Sequence, residues 1–124
     1  MEGCQVSFIQ LNMRKSFAAA VELNASLSEI KSYICLLSEP YAYKDKLSSV
    51  PPNCSKICNK SECRAAILAS PNVIITKLDS LTNKDCAVAL LKNGNEKIVL
   101  VSAYMDIKLS VRPCLLYTSP SPRD

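Results

Sequence analysis

The feature that most constrains this fold is a short apolar run that ends in a carboxylate and a proline. Ile34-Cys35-Leu36-Leu37 is followed by Ser38, Glu39 and Pro40. A continuous apolar run of this length, stopped by a proline, is typical of a buried strand in a parallel sheet. Glu39 would then lie at the carboxyl end of the strand, the edge where open α/β sheets bind ligands. A carboxylate there is either a working group or a polar strand end.

A strand and a helix are predicted before this run. Residues 5–11 alternate polar and apolar side chains, which indicates a strand that ends at Asn12. Residues 15–30 change to helical spacing, and their periodic apolar positions are Phe17, Ala20, Val21, Leu27 and Ile30. Strand, helix and strand over this length form a βαβ unit, so the two strands should be parallel neighbours. Asn12 and Glu39 are therefore expected at the same edge of the sheet.

The rest of the chain is predicted to be β structure after a long loop. Residues 42–62 are polar and contain Pro51-Pro52, which indicates a surface loop. Four β-like runs follow, at residues 64–70, 73–78, 86–92 and 97–104. Asn93-Gly94, between the last two runs, is a strong hairpin signal. The prediction is an α/β fold with a βαβ start followed by an antiparallel meander.

Composition limits the class of protein. A chain of 124 residues that is 48% hydrophobic fits one globular domain or part of one. The net charge of +4 permits a phosphate-bearing partner without requiring one. No basic leader opens the chain, and no apolar run approaches the ~20 residues of a membrane helix, so we expect an intracellular protein without a membrane partner. The 7 cysteines are then expected to be reduced thiols.

The end of the chain differs in character from the rest. Residues 114–124 crowd serine and proline together, and the string resembles the translation of a transposase adapter used in short-read sequencing libraries. We therefore expect residues 114–124 to be an artefactual or disordered tail that has no part in the fold. Residues 1–113 would then be an incomplete domain whose natural sequence continues. The alternative is a natural tail rich in serine and proline.

Four short motifs, in this order, carry a resemblance to a known family. They are Gln10-Leu11-Asn12, Leu37-Ser38-Glu39-Pro40-Tyr41, Arg64-Ala65-Ala66-Ile67 and Val101-Ser102-Ala103-Tyr104. Over residues 5–110 the chain resembles the endonuclease domain of non-LTR retrotransposons, within the endonuclease/exonuclease/phosphatase superfamily. The resemblance implies a DNase I-like, four-layer α/β sandwich, of which this chain would be the N-terminal part.

The resemblance also implies an activity and a site. The activity is Mg²⁺-dependent nicking of a DNA phosphodiester, for which oxygen ligands hold a hard cation that polarises the phosphate. Glu39 matches the family's metal-binding glutamate, and Asn12 matches the asparagine beside the metal and the scissile phosphate. Tyr104 matches a tyrosine that contacts the phosphate. The implied partners are DNA and a downstream reverse transcriptase, with action in the nucleus and no small-molecule cofactor.

The chain departs from the family in its general base. The family uses a histidine paired with an aspartate, preceded by an Asp-x-Asn motif, whereas this chain contains 0 His and no Asp-x-Asn after Tyr104. Proton abstraction from water needs a placed base, so we expect the chain as written to be inactive. One alternative is an enzyme of the same superfamily that acts on a phospholipid or an inositol phosphate.

A second alternative is a non-catalytic α/β binding module or a degenerate copy. Three cysteines in the polar loop, Cys54, Cys58 and Cys63, would hold zinc in that case. Asp106 is a further candidate polar group after the last strand. Lysines of the same loop are candidate contacts to DNA phosphates, and these are Lys44, Lys46, Lys56 and Lys60.

Overall fold

Strands make up most of the regular structure. The computed structural model describes residues 5–43, 46–47, 50–51, 53–59, 63–93 and 95–104. In chain order the elements are β1 Ser7–Asn12, α1 Phe17–Leu27, β2 Tyr33–Ser38, β3 Ala42–Tyr43, β4 Lys46–Leu47, β5 Ser55–Ile57, β6 Ala65–Ala69, β7 Ile75–Lys77, a 3-10 turn Asp79–Leu81, β8 Cys86–Asn93 and β9 Glu96–Ala103. Asp106 and the tail at residues 114–124 lie outside the described residues.

The predicted βαβ unit is confirmed. β1 and β2 are parallel neighbours, and their register sets Asn12 opposite Ser38 at the carboxyl ends. α1 connects them and begins after Ser16, whose hydroxyl accepts a hydrogen bond from the Ala19 amide at 3.1 Å. This N-cap satisfies one of the amide groups that a first helical turn leaves without an intrahelical partner.

The predicted helix is confirmed, and only part of its periodic apolar set is buried. Ala20, Leu23 and Leu27 are buried toward the sheet, spaced three and four residues apart. Phe17 and Val21, which share the helical spacing, are 55% and 46% exposed. Successive helical residues are about 100° apart around the axis, and Val21 is therefore turned away from the face that Ala20 presents to the sheet.

β6 belongs to the first sheet, which corrects the predicted meander. It lies between β2 and β5 and is antiparallel to both, so the sheet order is β1-β2-β6-β5. All five residues of β6 are buried. β3, β4 and β5 all fall within the stretch predicted as a loop, and that prediction is wrong for these three short strands. A strand of three residues carries too few side chains to show a period of two.

The second sheet is the antiparallel meander that the sequence predicts from β7 onward. Its strand order is β7-β8-β9. β8 and β9 pair along their whole lengths, with Asn93 opposite Glu96 at the turn. The hairpin predicted at Asn93-Gly94 is therefore confirmed.

The two sheets pack face to face, and α1 covers the other face of the first sheet. The core between the sheets consists of aliphatic residues and alanines, namely Ile34, Ile57, Ala65, Ile67, Ala69, Val73, Ala87, Ala89 and Leu100. The core beneath α1 contains larger side chains and two thiols, namely Met13, Ala20, Leu23, Leu27, Tyr33, Cys35, Leu37, Cys54, Ala66 and Leu68. The described residues therefore form helix, sheet and sheet layers of an α/β fold. Their helices are all too short or too polar to span a membrane.

One side of this sandwich leaves inward-facing apolar residues exposed. Phe8 is paired with Ile34 and Ile98 is paired with Leu91, so both point toward the space between the sheets. Phe8 is nevertheless 59% exposed and Ile98 is 43% exposed. β9 packs over β2 and β6, which leaves β1 at the margin of the sandwich. Within the described residues, the core is thus open along the β1 and β9 edges.

Candidate active site

Asn12 and Glu39 lie at one edge of the first sheet, as their sequence positions predict. Asn12 is the last residue of β1, opposite Ser38, and Glu39 directly follows Ser38. The amide of Met13 donates to the Ser38 carbonyl at 2.9 Å, which continues the parallel pairing past the strand end. The two polar side chains therefore start from neighbouring backbone positions.

The backbone of Glu39 is held on both sides in a sparsely populated conformation. Its amide donates to the Arg64 carbonyl at 2.8 Å, and its carbonyl accepts from the Lys15 amide at 2.8 Å. Its φ of 48° lies in the left-handed region, which is uncommon for a residue with a Cβ. Arg14 and Lys15, at φ 51° and 58°, share this conformation next to β1. Residues with a strained backbone persist only where the surrounding structure enforces the conformation, and they are concentrated at functional sites.

Asn12 is exposed and its side-chain oxygen has a local partner. The Arg14 amide donates to Asn12 Oδ1 at 2.9 Å, which forms a turn that directs the chain from β1 into α1. An amide oxygen has two lone pairs, so one remains available to a cation or a water molecule. The same side chain can therefore shape the turn and act as an oxygen ligand.

Tyr104 reaches the same end of the molecule from the second sheet. It directly follows β9, and its amide donates to the Asp85 carbonyl at 2.8 Å. Ser102 Oγ donates to the Leu37 carbonyl at 2.7 Å and so joins β9 to β2. Because Ser102 and Leu37 each lie two residues before a candidate site residue, this buried bond fixes the end of β9 beside Glu39.

Sequence reasoning missed two charged residues that adjoin Tyr104. The Arg64 guanidinium carbon lies 5.3 Å from the centre of the Tyr104 ring, and Arg64 Nη1 lies 3.4 Å from Asp85 Oδ1. Arg64 belongs to a motif that carries the family resemblance, so this motif was the available signal. Asp85 had no signal in the sequence, because only the packing of β8 against β6 and β9 brings it to the site.

The ion pair is too exposed to contribute much to stability. The side chains of Arg64 and Asp85 are 28% and 42% exposed, and pairs of this kind contribute about 0–1 kcal/mol. Asp85 Oδ1 itself is shielded from water and makes no hydrogen bond within the described residues. Arg64 therefore acts mainly by placing a planar cation between the Tyr104 ring and a carboxylate, which orients both.

The three loop cysteines do not form the zinc site that was considered as an alternative. Cys54 is buried against Tyr33 and Cys35 beneath the sheet, whereas the Cys58 and Cys63 thiols are hydrogen-bonded to each other. Across the described ranges, His, Cys, Asp and Glu side chains gather in no group of three or more that would hold a metal ion. Cys54 lies within the core beneath α1, and Cys58 and Cys63 lie at the margin of that core.

The structure describes only part of the predicted set of phosphate-binding lysines. Lys44 and Lys60 fall outside the described residues. Lys56 is exposed on β5. Arg14 and Lys15 are exposed cations that follow Met13 just after β1. Their positive charge at this edge suits a polyanionic backbone.

Comparisons with known proteins concern the fold of the chain. No family profile matches the chain. In sequence, it is 26% identical over 111 residues to a 115 kDa protein in the type-1 retrotransposable element R1DM of Drosophila melanogaster, covering 90% of this chain and 11% of that protein. In structure, it is similar to the endonuclease domain of TRAS1, a telomere-specific non-LTR retrotransposon, with a TM-score of 0.67 and 21% identity. That similarity covers 88% of this chain and 48% of the TRAS1 chain. The chain thus has the fold of about half of a non-LTR retrotransposon endonuclease domain. This confirms the predicted resemblance and fold class.

Proposed function

We propose that this chain is the N-terminal part of a Mg²⁺-dependent DNA endonuclease domain in a retrotransposon-type protein. The observation that carries the proposal is the position of Asn12 and Glu39 at neighbouring strand ends, with β9 tied to β2 by the Ser102–Leu37 hydrogen bond two residues before Tyr104. The left-handed backbone of Glu39 and the basic residues after β1 support it. The substrate is a DNA phosphodiester, and the parent protein acts in the nucleus with a reverse transcriptase downstream.

Glu39 and Asn12 are the residues that we expect to hold Mg²⁺. This ion prefers oxygen ligands and keeps several of its waters, so a carboxylate and an amide oxygen suit it. Bound there, the ion would polarise a phosphate oxygen as a Lewis acid. Both main-chain hydrogen bonds of Glu39 come from protein groups, so the residue is positioned before any ion binds.

Tyr104 and its neighbours would hold the phosphate. The phenol of Tyr104 is a hydrogen-bond donor suited to a phosphate oxygen. Arg64 orients the ring through its cation–π contact at 5.3 Å. Arg14 and Lys15 attract the DNA backbone, because exposed cations replace condensed counterions along it.

We also propose that the domain is incomplete and that the chain as written does not nick DNA. The chain covers 48% of the TRAS1 endonuclease chain, and its core is open at Phe8 and Ile98. A further segment of the domain would cover both residues. It would also supply the histidine general base that the family resemblance implies and that this sequence, with 0 His, lacks.

Metal binding by the chain itself tests the proposal. Unfolding is measured with and without Mg²⁺ at matched ionic strength, for the wild type, Glu39→Gln and Glu29→Gln. Glu29 is an exposed glutamate just after α1 and serves as the matched control. A bound ion at ten times its Kd raises the free energy of unfolding by about 1.4 kcal/mol. We expect this gain in the wild type and in Glu29→Gln but not in Glu39→Gln; equal gains in all three chains would contradict the proposal.

Sequencing of the genomic locus past codon 113 tests the incompleteness separately. We expect an open frame with an Asp-x-Asn motif and a later Ser-Asp-His-like triplet. Natural sequence that encodes residues 114–124 and then a stop would instead leave a degenerate copy or a binding role. In a plasmid-nicking assay we expect no product from the present chain.

A further inference from the structure

Two neighbouring thiols have no role in the proposed chemistry. Cys58 follows β5 and Cys63 precedes β6, and both are half-buried at the margin of the core beneath α1. β5 and β6 are antiparallel neighbours with Ile57 opposite Ile67, so the two cysteines lie at the same end of this strand pair, and each thiol perturbs the pKa of the other. Of the other described cysteines, Cys35 and Cys54 are buried in the core. Cys58 and Cys63 are thus a contacting pair of thiols that reagents can reach.

The surroundings of Cys58 favour its thiolate. The pKa of the Cys58 thiol is lowered to about 7, first by the hydrogen bond from Cys63 and then by the positive charges of Lys77 and Lys56. The Cys63 thiol also lies 3.3 Å from the Ala65 carbonyl, so its one proton has a second acceptor. Thiolates are the nucleophiles of disulfide exchange, and a partly exposed thiolate beside a second thiol is typical of redox-active pairs.

We propose that Cys58 and Cys63 form a reversible disulfide, with a low-molecular-weight disulfide such as oxidised glutathione as the oxidant. The Cys58 thiolate attacks one sulfur of oxidised glutathione and releases one glutathione thiolate, leaving a mixed disulfide on Cys58. Cys63 then loses its proton and attacks Cys58 Sγ, which releases the second glutathione thiolate and closes the protein disulfide. Two protein thiols are oxidised, and one oxidised glutathione is reduced to two molecules of glutathione.

The order of the two steps follows from the hydrogen bond. In the reduced pair, the pKa of Cys63 is raised, mainly by its hydrogen bond to Cys58 and by burial, and also by the negative charge of Cys58. Cys58 is therefore the first nucleophile. Once Cys58 is bonded to glutathione, that negative charge is gone and Cys63 releases its proton more readily. Cys63 is thus the resolving thiol.

The disulfide would act on the segment beside the candidate active site. Cys63 directly precedes Arg64, whose carbonyl accepts from the Glu39 amide and whose amide donates to the Lys84 carbonyl, at 2.8 and 2.7 Å. A bond from Cys63 to the end of β5 would fix the backbone immediately before these contacts. The inference does not depend on the proposed nuclease function, because it rests on the thiols alone.

Peptide mapping of the full chain tests this inference. The reduced protein is exposed at neutral pH to glutathione buffers of increasing oxidised fraction, quenched with acid, alkylated and digested with trypsin. Trypsin cuts after Lys56, Lys60 and Arg64, so a Cys58–Cys63 bond appears as residues 57–60 joined to residues 61–64. We expect this joined product before any other disulfide, and we expect it to disappear on return to reduced glutathione.

Variants separate the roles of the two thiols. Cys63→Ala should accumulate the glutathione mixed disulfide on Cys58, formed several-fold more slowly than in the wild type. Cys58→Ala should leave Cys63 reduced over the same time, and Cys86→Ala, the control at another half-buried thiol, should leave the joined peptide unchanged. In denaturing urea, where loop length alone sets the preference, Cys54–Cys58 should form as readily as Cys58–Cys63. Joined peptides with other cysteines at equal yield, or the same selectivity in urea, would overturn the proposal.

Discussion

The buried hydrogen bond between the two sheets makes a measurable contribution to stability. Ser102 Oγ donates to the Leu37 carbonyl at 2.7 Å, and Ser102 is 5% exposed. Ser102→Ala removes the donor from a site that water does not reach, so the Leu37 carbonyl loses a partner that nothing replaces. Such a loss costs about 1–2 kcal/mol. With a urea dependence of about 1.5 kcal/mol per molar, the unfolding midpoint should fall by roughly 1 M.

A second serine of the chain provides the matched control. Ser28 Oγ donates to the Ala25 carbonyl at the same distance of 2.7 Å, but at the exposed end of α1. Water can take the place of that hydroxyl, so Ser28→Ala should change the free energy of unfolding by less than about 0.5 kcal/mol. Urea unfolding followed by circular dichroism measures both variants. Equal shifts of the two midpoints would refute the claim that burial gives the inter-sheet bond its strength.

Two further predictions concern the helix and the buried tyrosine. Leu27→Ala should lower the free energy of unfolding by about 2–4 kcal/mol, because Leu27 is 2% exposed. Val21→Ala, at an exposed position of the same helix, should cost less than about 0.5 kcal/mol. Urea midpoints measure both variants, and similar losses would contradict the burial of this face of α1. Burial, with smaller contributions from Cys54 and Cys35, raises the pKa of Tyr33 to about 12. The folded state thus keeps a proton that the unfolded state loses near pH 10. The contribution of Tyr33 to the free energy of unfolding is therefore complete below about pH 10 and is lost as the pH rises toward 12. Urea unfolding under reducing conditions over this range should show a steeper fall in the wild type than in Tyr33→Phe, and parallel curves would contradict the assignment.

Local patterns were sufficient for the elements that carry their own signal. The apolar run before Glu39 specified a buried strand, and the change from alternating to helical spacing specified the βαβ unit. Asn12 and Glu39 could be assigned to one edge because parallel strands joined by a helix leave their carboxyl ends side by side. The β8–β9 hairpin followed from Asn93-Gly94 in the same way.

Those local patterns could not predict which distant segments pair with each other. β6 has the composition of any buried strand, so nothing in it distinguishes β2 and β5 as neighbours from β7. β5 has three residues, too few to show a period. Which side of α1 faces the sheet was also undecided, because Phe17 and Val21 are as apolar as the residues that are buried.

The candidate site divides along the same line. The sequence by itself determined Asn12, Glu39 and Tyr104 as polar residues at predicted strand ends, since a strand end is a local property of the chain. Only the tertiary structure decided that Arg64 contacts both Tyr104 and Asp85 and that Cys58 pairs with Cys63 instead of joining Cys54 around a metal. The physical reason is that these contacts depend on how β6, β8 and β9 stack across two sheets, and that stacking is set by the burial of side chains far apart in the chain.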